Sequence, residues 1–300
     1  MSDPIGFIGL GNMGGRITAR LVRAGWDVLG YDVRPGRASA AGARPAESVA
    51  QVAESADVVL ISLPDSRVIE SVTGGEDGLV ARAQPDQVIV DLSTAAPSST
   101  RRICAGLAER GAAYLDAGVS GGAAAAENST LTLMVGGDPA ALDRVRPVLA
   151  AFAAQVSYCG ASGAGHTAKI LSNFLNAVSL AATAEVMVAA RKAGLDLGTF
   201  LAVLNASSGV NFATLNRFPK IIHGDYLKGG LTNALMMKDV VLYTDLVGEL
   251  GVASINAGGP LGSFGLAIAL GYADEISNTV VDAIGDVSGR VRLHGEAEAF

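Results

Sequence analysis

Cysteine, histidine and aromatic residues are all scarce in this chain, and each scarcity closes off a class of protein. Two cysteines, Cys104 and Cys159, cannot build a disulfide framework, and no zinc spacing can be read from them. Three histidines, His166, His223 and His294, are scattered and form no metal-ligand motif. Aromatics make up 5% of the residues, so the cores must be built largely from Ala, Val, Leu and Ile. Basic residues are in the minority, 22 against 29 acidic ones, for a net charge of −7. That balance argues against a nucleic-acid backbone or an anionic membrane as the main partner. It does not forbid a small anionic substrate, because a local site can be positive on an acidic protein. The opening segment carries Asp3 where a secretion signal would be basic, so a cytoplasmic protein is expected. Residues 250–273 carry no formal charge, but six glycines, Pro260 and Asn256 point to a buried helix rather than a membrane span.

What the chain does have is hydrophobic residues at half of its 300 positions, enough for two domains. Residues 5–9 read as a short buried strand. Gly9, Leu10, Gly11, Asn12, Met13 and Gly14 follow as GxGxxG and open an amphipathic helix that Gly25 is placed to stop. A second strand, 28–31, ends at Asp32. The first glycine permits a tight turn, the second lets the backbone approach a pyrophosphate, and the third lets helix pack on strand. The pyrophosphate then sits at the positive end of the helix. An acidic residue about twenty positions on accepts hydrogen bonds from the adenosine ribose. Asp32 favours NAD, because a carboxylate repels a 2′-phosphate, while Arg34 leaves NADP open.

Strands at 58–62, 87–92, 113–119, 131–135 and 155–158 alternate with helical segments, which predicts a parallel, doubly wound sheet. Ligands bind at the carboxyl ends of such strands, which places Leu63-Pro64 and Ser93-Thr94 on the cofactor side. Ser120-Gly121-Gly122 precedes a short helical stretch. Its exposed N–H groups suit a carboxylate or phosphate, a plain flexible turn being the other reading. Residues 165–194 form one long helix, apolar on nearly every side and therefore expected to be buried. One stripe breaks the pattern: His166, Lys169, Asn173 and Asn176 share a face. They are either satisfied core polar groups or, for Lys169 and Asn173, groups aimed into a cleft. After Gly194 the chain reads as helices only. The expected architecture is an α/β Rossmann-type domain over 1–162 and an all-helical domain over 163–300, joined by the long helix.

Six ordered motifs resemble the β-hydroxyacid dehydrogenase family over nearly the whole chain: GFIGLGNMG (6–14), DLST (91–94), DAGVSGG (116–122), TLTLMVGG (130–137), GAGHTAKILSN (163–173) and MMKD (236–239). The resemblance implies that Ser120, Gly121 and Gly122 hold a substrate carboxylate. It implies that Lys169 is the general acid/base at the substrate hydroxyl and that Asn173 positions that hydroxyl. Thr94 would lie near the nicotinamide, and Lys238 would close the site over substrate and cofactor. The implied activity is hydride transfer between NAD and a small 3-hydroxy carboxylic acid, by a homodimer or homotetramer. Burial disfavours the charged form of a lysine and would ready it to exchange a proton. The chain departs from the family at Gly118, where proline is common, at Asn128-Ser129, at Ser172, and at Val210-Asn211-Phe212, where an arginine and a tryptophan are common. Those departures lie where the substrate tail would sit. Two rival readings are an imine reductase, in which another residue usually replaces the lysine, and a non-catalytic dinucleotide sensor.

Overall fold

A computed structural model describes residues 4–227 and 229–295, and these fall into two compact units, Met1–Lys169 and Ile170–Phe300. Both chain ends of the expected domains lie outside the described residues. The first unit holds one eight-stranded sheet in the order β3-β2-β1-β4-β5-β6-β7-β8. Its strands are β1 (Ile5–Ile8), β2 (Val28–Tyr31), β3 (Arg44–Pro45), β4 (Val58–Ile61), β5 (Val88–Asp91), β6 (Ala113–Ser120), β7 (Leu131–Gly136) and β8 (Ala153–Gly160). Its helices are α1 (Asn12–Arg23), α2 (Arg37–Ala40), α3 (Val49–Ser55), α4 (Ser66–Thr73), α5 (Leu79–Arg82), α6 (Pro97–Ala108), α7 (Gly122–Glu127) and α8 (Pro139–Leu149).

The central strands β1, β4 and β5 are buried on both faces, as a sheet covered on both sides requires. Phe7, Leu60, Val88 and Val90 pack in one layer, while Ile8, Ile61, Ile89 and Tyr114 pack in the other. The period-2 alternation of side chains produces this division. The sheet is not parallel throughout: β6 and β7 pair antiparallel, Ser120 opposite Thr132. The reason is connection length. Only α7 and its flanking turns separate these strands, and a parallel crossover needs about a dozen residues or more.

Helix α9 (Ala164–Lys192) begins in the first unit and continues into the second. It is long and apolar enough to span a membrane by length and composition alone. It is not buried on every side, contrary to the reading of its sequence. Leu171, Leu175 and Val186 are exposed, while Ile170, Ala177, Ala184 and Met187 are buried. Helical periodicity identifies an apolar surface but not what covers it. The rest of the second unit is helical: α10 (Leu197–Asn205), α11 (Phe212–Asn216), α12 (Phe218–Ile221), α13 (Asn233–Glu249), α14 (Gly258–Ala269) and α15 (Val280–Val287). The uncharged stretch becomes α14, with Pro260 in its first turn and Phe264 and Ala267 buried.

Candidate active site

The N-terminal glycine turn is built for close backbone approach. Gly9 has φ +88°, and a Cβ there would overlap the Ser62 carbonyl oxygen and lie 2.9 Å from the Leu63 side chain. A Cβ at Gly14 would overlap the Gly9 carbonyl oxygen, so only glycine lets α1 sit this close to β1. Gly11 caps α1 without any side-chain hydrogen bond, and the positive end of a helix in such a glycine turn is where an anion binds. These features fit a dinucleotide pyrophosphate.

Asp32 is fixed by its own neighbours. Its Oδ2 accepts from the Leu10 N–H at 2.7 Å, and its Oδ1 accepts from the Arg34 N–H at 2.8 Å. The Arg37 guanidinium approaches Oδ2 at 3.3 Å. Burial pushes this carboxyl upward, but the Arg34 and Leu10 N–H groups and Arg37 together outweigh it and hold it below the usual carboxylate range. Arg37, the first residue of α2 and five positions after Asp32, is a site residue that the motifs do not point to. Arg34 supplies its backbone rather than its side chain to the carboxylate. The loops after β4 and β5 are tied together, Leu63 N–H donating to Ser93 Oγ at 2.9 Å and Ala96 N–H to Ser66 Oγ at 2.9 Å. Leu63-Pro64 and Ser93-Thr94 thus form one rim at the carboxyl ends of adjacent strands.

A second group of predicted residues meets on β6. Lys169 is 8% exposed, and its side chain lies so close to Gly118 that a Cβ there would overlap Lys169 Cβ. The departure at Gly118 therefore gives the lysine room. Gly118 and Ser120 are two residues apart on one strand and so share the face that Lys169 covers. Gly121 follows with φ +125° and caps α7, and Gly122 begins that helix.

A buried polar network lies on β5 and β6. Asp91 and Asp116 are register partners on β5 and β6, both fully buried. Asp91 Oδ1 accepts from the Ser93 N–H at 2.9 Å, and its Oδ2 accepts from the Tyr114 hydroxyl at 2.7 Å. Burial first, and the Asp91 carboxylate second, raise the Tyr114 phenol well above its ordinary range, so it remains a donor. Asp116 accepts from the N–H groups of Gly163 and His166, each at 2.8 Å, and so caps the start of α9. Asp91 and Asp116 appear in the sequence motifs, but their charge inside apolar runs was the signal of a buried network.

In the second unit, Asn173 is 5% exposed and donates through Nδ2 to Asp239 Oδ2 at 2.5 Å. Lys238 Nζ stands 3.0 Å from Asp239 Oδ1. Asp239 thus joins two predicted residues, and sequence reasoning gave it no role. Asn176, the last member of the stripe, accepts from Arg217 Nη2 at 3.0 Å. Burial lowers the Arg217 guanidinium to about 10. Lys169 and Asn173 are one turn apart on the continuous helix α9.

Residues 4–160 match the family model described as the NAD-binding domain of 6-phosphogluconate dehydrogenase. Residues 163–270 match the model described as the NAD-binding region of NADP-dependent 3-hydroxyisobutyrate dehydrogenase. An NAD-dependent L-serine dehydrogenase of Pseudomonas aeruginosa is 37% identical, covering 90% of this chain and 94% of its own. A 3-hydroxyisobutyrate dehydrogenase of the same organism is 38% identical over 81% of this chain and 84% of its own. Among solved structures, the Mycobacterium tuberculosis 3-hydroxyisobutyrate dehydrogenase with L-serine superposes with a TM-score of 0.85 at 34% identity, covering 94% of this chain and 98% of its own.

Proposed function

The chain belongs to the β-hydroxyacid dehydrogenase family and is an NAD-dependent oxidoreductase acting on a CH–OH group, and on that premise we propose a small 3-hydroxy carboxylic acid as substrate and Lys169 as general acid/base. The observation that carries this reading is the seat of Lys169. It is a nearly buried lysine packed on Gly118, on the strand face that ends at Ser120, in the unit that holds the dinucleotide cradle.

Bound NAD supplies the hydride acceptor. Gly9, Leu10, Gly11, Asn12, Met13 and Gly14 hold its pyrophosphate, Asp32 its ribose, and Leu63, Pro64 and Thr94 its nicotinamide half. The Ser120-Gly121-Gly122 turn takes the substrate carboxylate. On oxidation Lys169 accepts the hydroxyl proton as the carbinol carbon gives up its hydride, and on reduction it returns that proton. Asn173, oriented by Asp239, positions the hydroxyl, and Lys238 closes over the substrate and cofactor. Functionally we divide the chain into 1–162 and 163–300, at the start of the long helix, although the first turn of that helix packs in the first unit. The enzyme is read as a cytoplasmic homodimer or homotetramer, acidic and without nucleic-acid or membrane partners. An imine reductase has less support because Lys169 is present, and a sensor because it would need neither Lys169 nor the Ser-Gly-Gly turn.

The test is direct. The protein is mixed with NAD and a panel of short hydroxy acids, and NADH absorbance is followed. Turnover of a 3-hydroxy acid is expected. NAD binding with no turnover of any acid would favour the sensor instead.

A further inference from the structure

We infer that His166 is a positioning residue for the reaction: it locks the first turn of α9 onto the ends of β5 and β6 and so sets the height at which Lys169 meets the substrate hydroxyl. The inference rests on Lys169 as the general acid/base.

His166 is completely buried and touches both members of the buried acid pair. Its backbone N–H donates to Asp116 Oδ2 at 2.8 Å, while its ring Nε2 faces Asp91 Oδ2 at 3.8 Å. The other ring nitrogen, Nδ1, lies 2.7 Å from Thr100 Oγ1 on α6. Nε2 makes no hydrogen bond. A buried polar atom left in this state calls for a physical account.

The network assigns the proton. A bare lone pair on Nε2 would confront a carboxylate, so Nε2 carries hydrogen and attracts Asp91 across the gap. Two neighbouring buried carboxylates repel each other, and a donor set in reach of both offsets that repulsion. The same contact has a geometric consequence. Asp91 accepts the Ser93 N–H, and Ser93 in turn accepts from Leu63 on the cofactor rim. Asp116 leads along β6 to Gly118 and Ser120. His166 therefore ties the cofactor rim and the substrate strand to one helical turn, and Lys169 is the next residue along that face, at i+3.

Close packing leaves this turn little freedom to take up the role without the histidine. A Cβ at Gly165 would overlap the carbonyl oxygens of Asp116 and Met134, so the turn already rests on backbone. The His166 ring, set between Thr100 and Asp91, is the second point at which the turn is held. A misplacement of about 1 Å at a catalytic group costs roughly 10²-fold in rate.

The test compares His166→Leu, His166→Gln, Thr100→Val, Lys169→Ala and the Leu/Ala double variant of residues 166 and 169. For each, kcat, KM for the acid, the NAD dissociation constant and Tm are measured. Leucine keeps the bulk and removes both polar contacts, so kcat should fall about 10–10²-fold with KM and NAD affinity within about three-fold. Glutamine offers an acceptor to Thr100 and a donor to Asp91, so it should restore kcat to within about three-fold of wild type. Because His166 acts through Lys169, adding the leucine change to Lys169→Ala should cost less than about three-fold more, a coupling that general destabilisation would not produce. If the leucine variant does not fold, Thr100→Val decides. A kcat about 3–10-fold down with unchanged NAD affinity supports the role, and an unchanged kcat overturns it. The inference is also overturned if His166→Leu keeps wild-type kcat, or if its effect adds in full to that of Lys169→Ala. If Lys169→Ala itself keeps more than about a tenth of kcat, the Lys169 reading fails first and the His166 role with it. If Lys169→Ala loses activity and His166→Leu does not, only the present inference fails.

Discussion

Gly165→Ala is the sharpest probe of how the fold holds its candidate acid/base. The new Cβ would land on the carbonyl oxygens of Asp116 and Met134 and within 2.8 Å of the Gly136 nitrogen. All three are backbone atoms of paired strands, so the helix has to give way rather than they. Ordinary contact begins at 3.4 Å. The first turn of α9 must therefore lift by about 1 Å to relieve the overlap. Two opposing terms set the stability change. Alanine in a helix is favoured over glycine by about 1 kcal/mol. Overpacking a tight contact costs about 1–3 kcal/mol, and backbone on both sides puts this site at the upper end. The net loss is about 2 kcal/mol, which corresponds to a Tm lower by roughly 4–8 °C for a unit of this size. Lys169 lies one turn along the displaced helix, so kcat should fall about 10²-fold while NAD affinity stays within a few-fold. Initial rates from NADH absorbance, an NAD titration and a thermal scan read these quantities. A variant with wild-type kcat and Tm would mean that α9 is not seated on β6 and β7 as described.

The remaining predictions concern the two ligand ends. Asp32→Asn should weaken NAD and narrow the preference for NAD over NADP in kcat/KM, whereas Arg37→Ala should weaken NADP more than NAD; an Asp32→Asn enzyme that keeps the full NAD preference would contradict this. The Asp32 carboxyl is held below its ordinary value, so it remains ionised throughout the neutral range. Its contribution to stability is present above the unfolded-state value and is lost only as pH falls through the lower folded value. NAD affinity should accordingly stay level between about pH 8 and pH 5, and an affinity that falls across that window would show that another group governs it. At the substrate end, Gly122 has φ +70° with open space around it, while a Cβ at Gly121 would meet Ala125 at 2.6 Å. Gly122→Ala is therefore the cleaner probe of the turn. It should raise KM for the acid with NAD binding nearly unchanged, and equal losses for both would assign the turn to the cofactor.

The order of motifs and the alternation of apolar segments made the first unit legible, down to the glycine turn and Asp32. Local chemistry decides those features, and local chemistry is what a sequence displays. The antiparallel β6–β7 pair was hidden because alternation says nothing of strand direction, although the short segment between Ser120 and Leu131 contained the answer. The two-residue strand β3 and the four-residue helices α2 and α5 are too brief to carry a period. His166, Lys169 and Asn173 stand out as a polar stripe, but the partners of His166 and Asn173 do not. Asp239 lies 66 positions from Asn173, and Asp116 lies 50 from His166. Such pairs are made by tertiary packing. Exposure of Leu171, Leu175 and Val186 on α9 has the same origin, since periodicity records a helix's apolar faces and not their neighbours.

The central claim is that Lys169 transfers the proton, and one measurement bears on it most directly: kcat and the NAD dissociation constant of Lys169→Ala, with Lys169→Arg alongside. Removing a positioned general acid/base lowers kcat by about 10²–10⁴-fold. NAD affinity should stay within a few-fold, because the residues proposed to hold the cofactor, the glycine turn, Asp32 and the loop rim, are untouched. Arginine should rescue little, since a guanidinium keeps its proton in this pH range. A Lys169→Ala enzyme that retains more than about a tenth of wild-type kcat would contradict the account, and Lys238, beside Asp239, would become the next candidate.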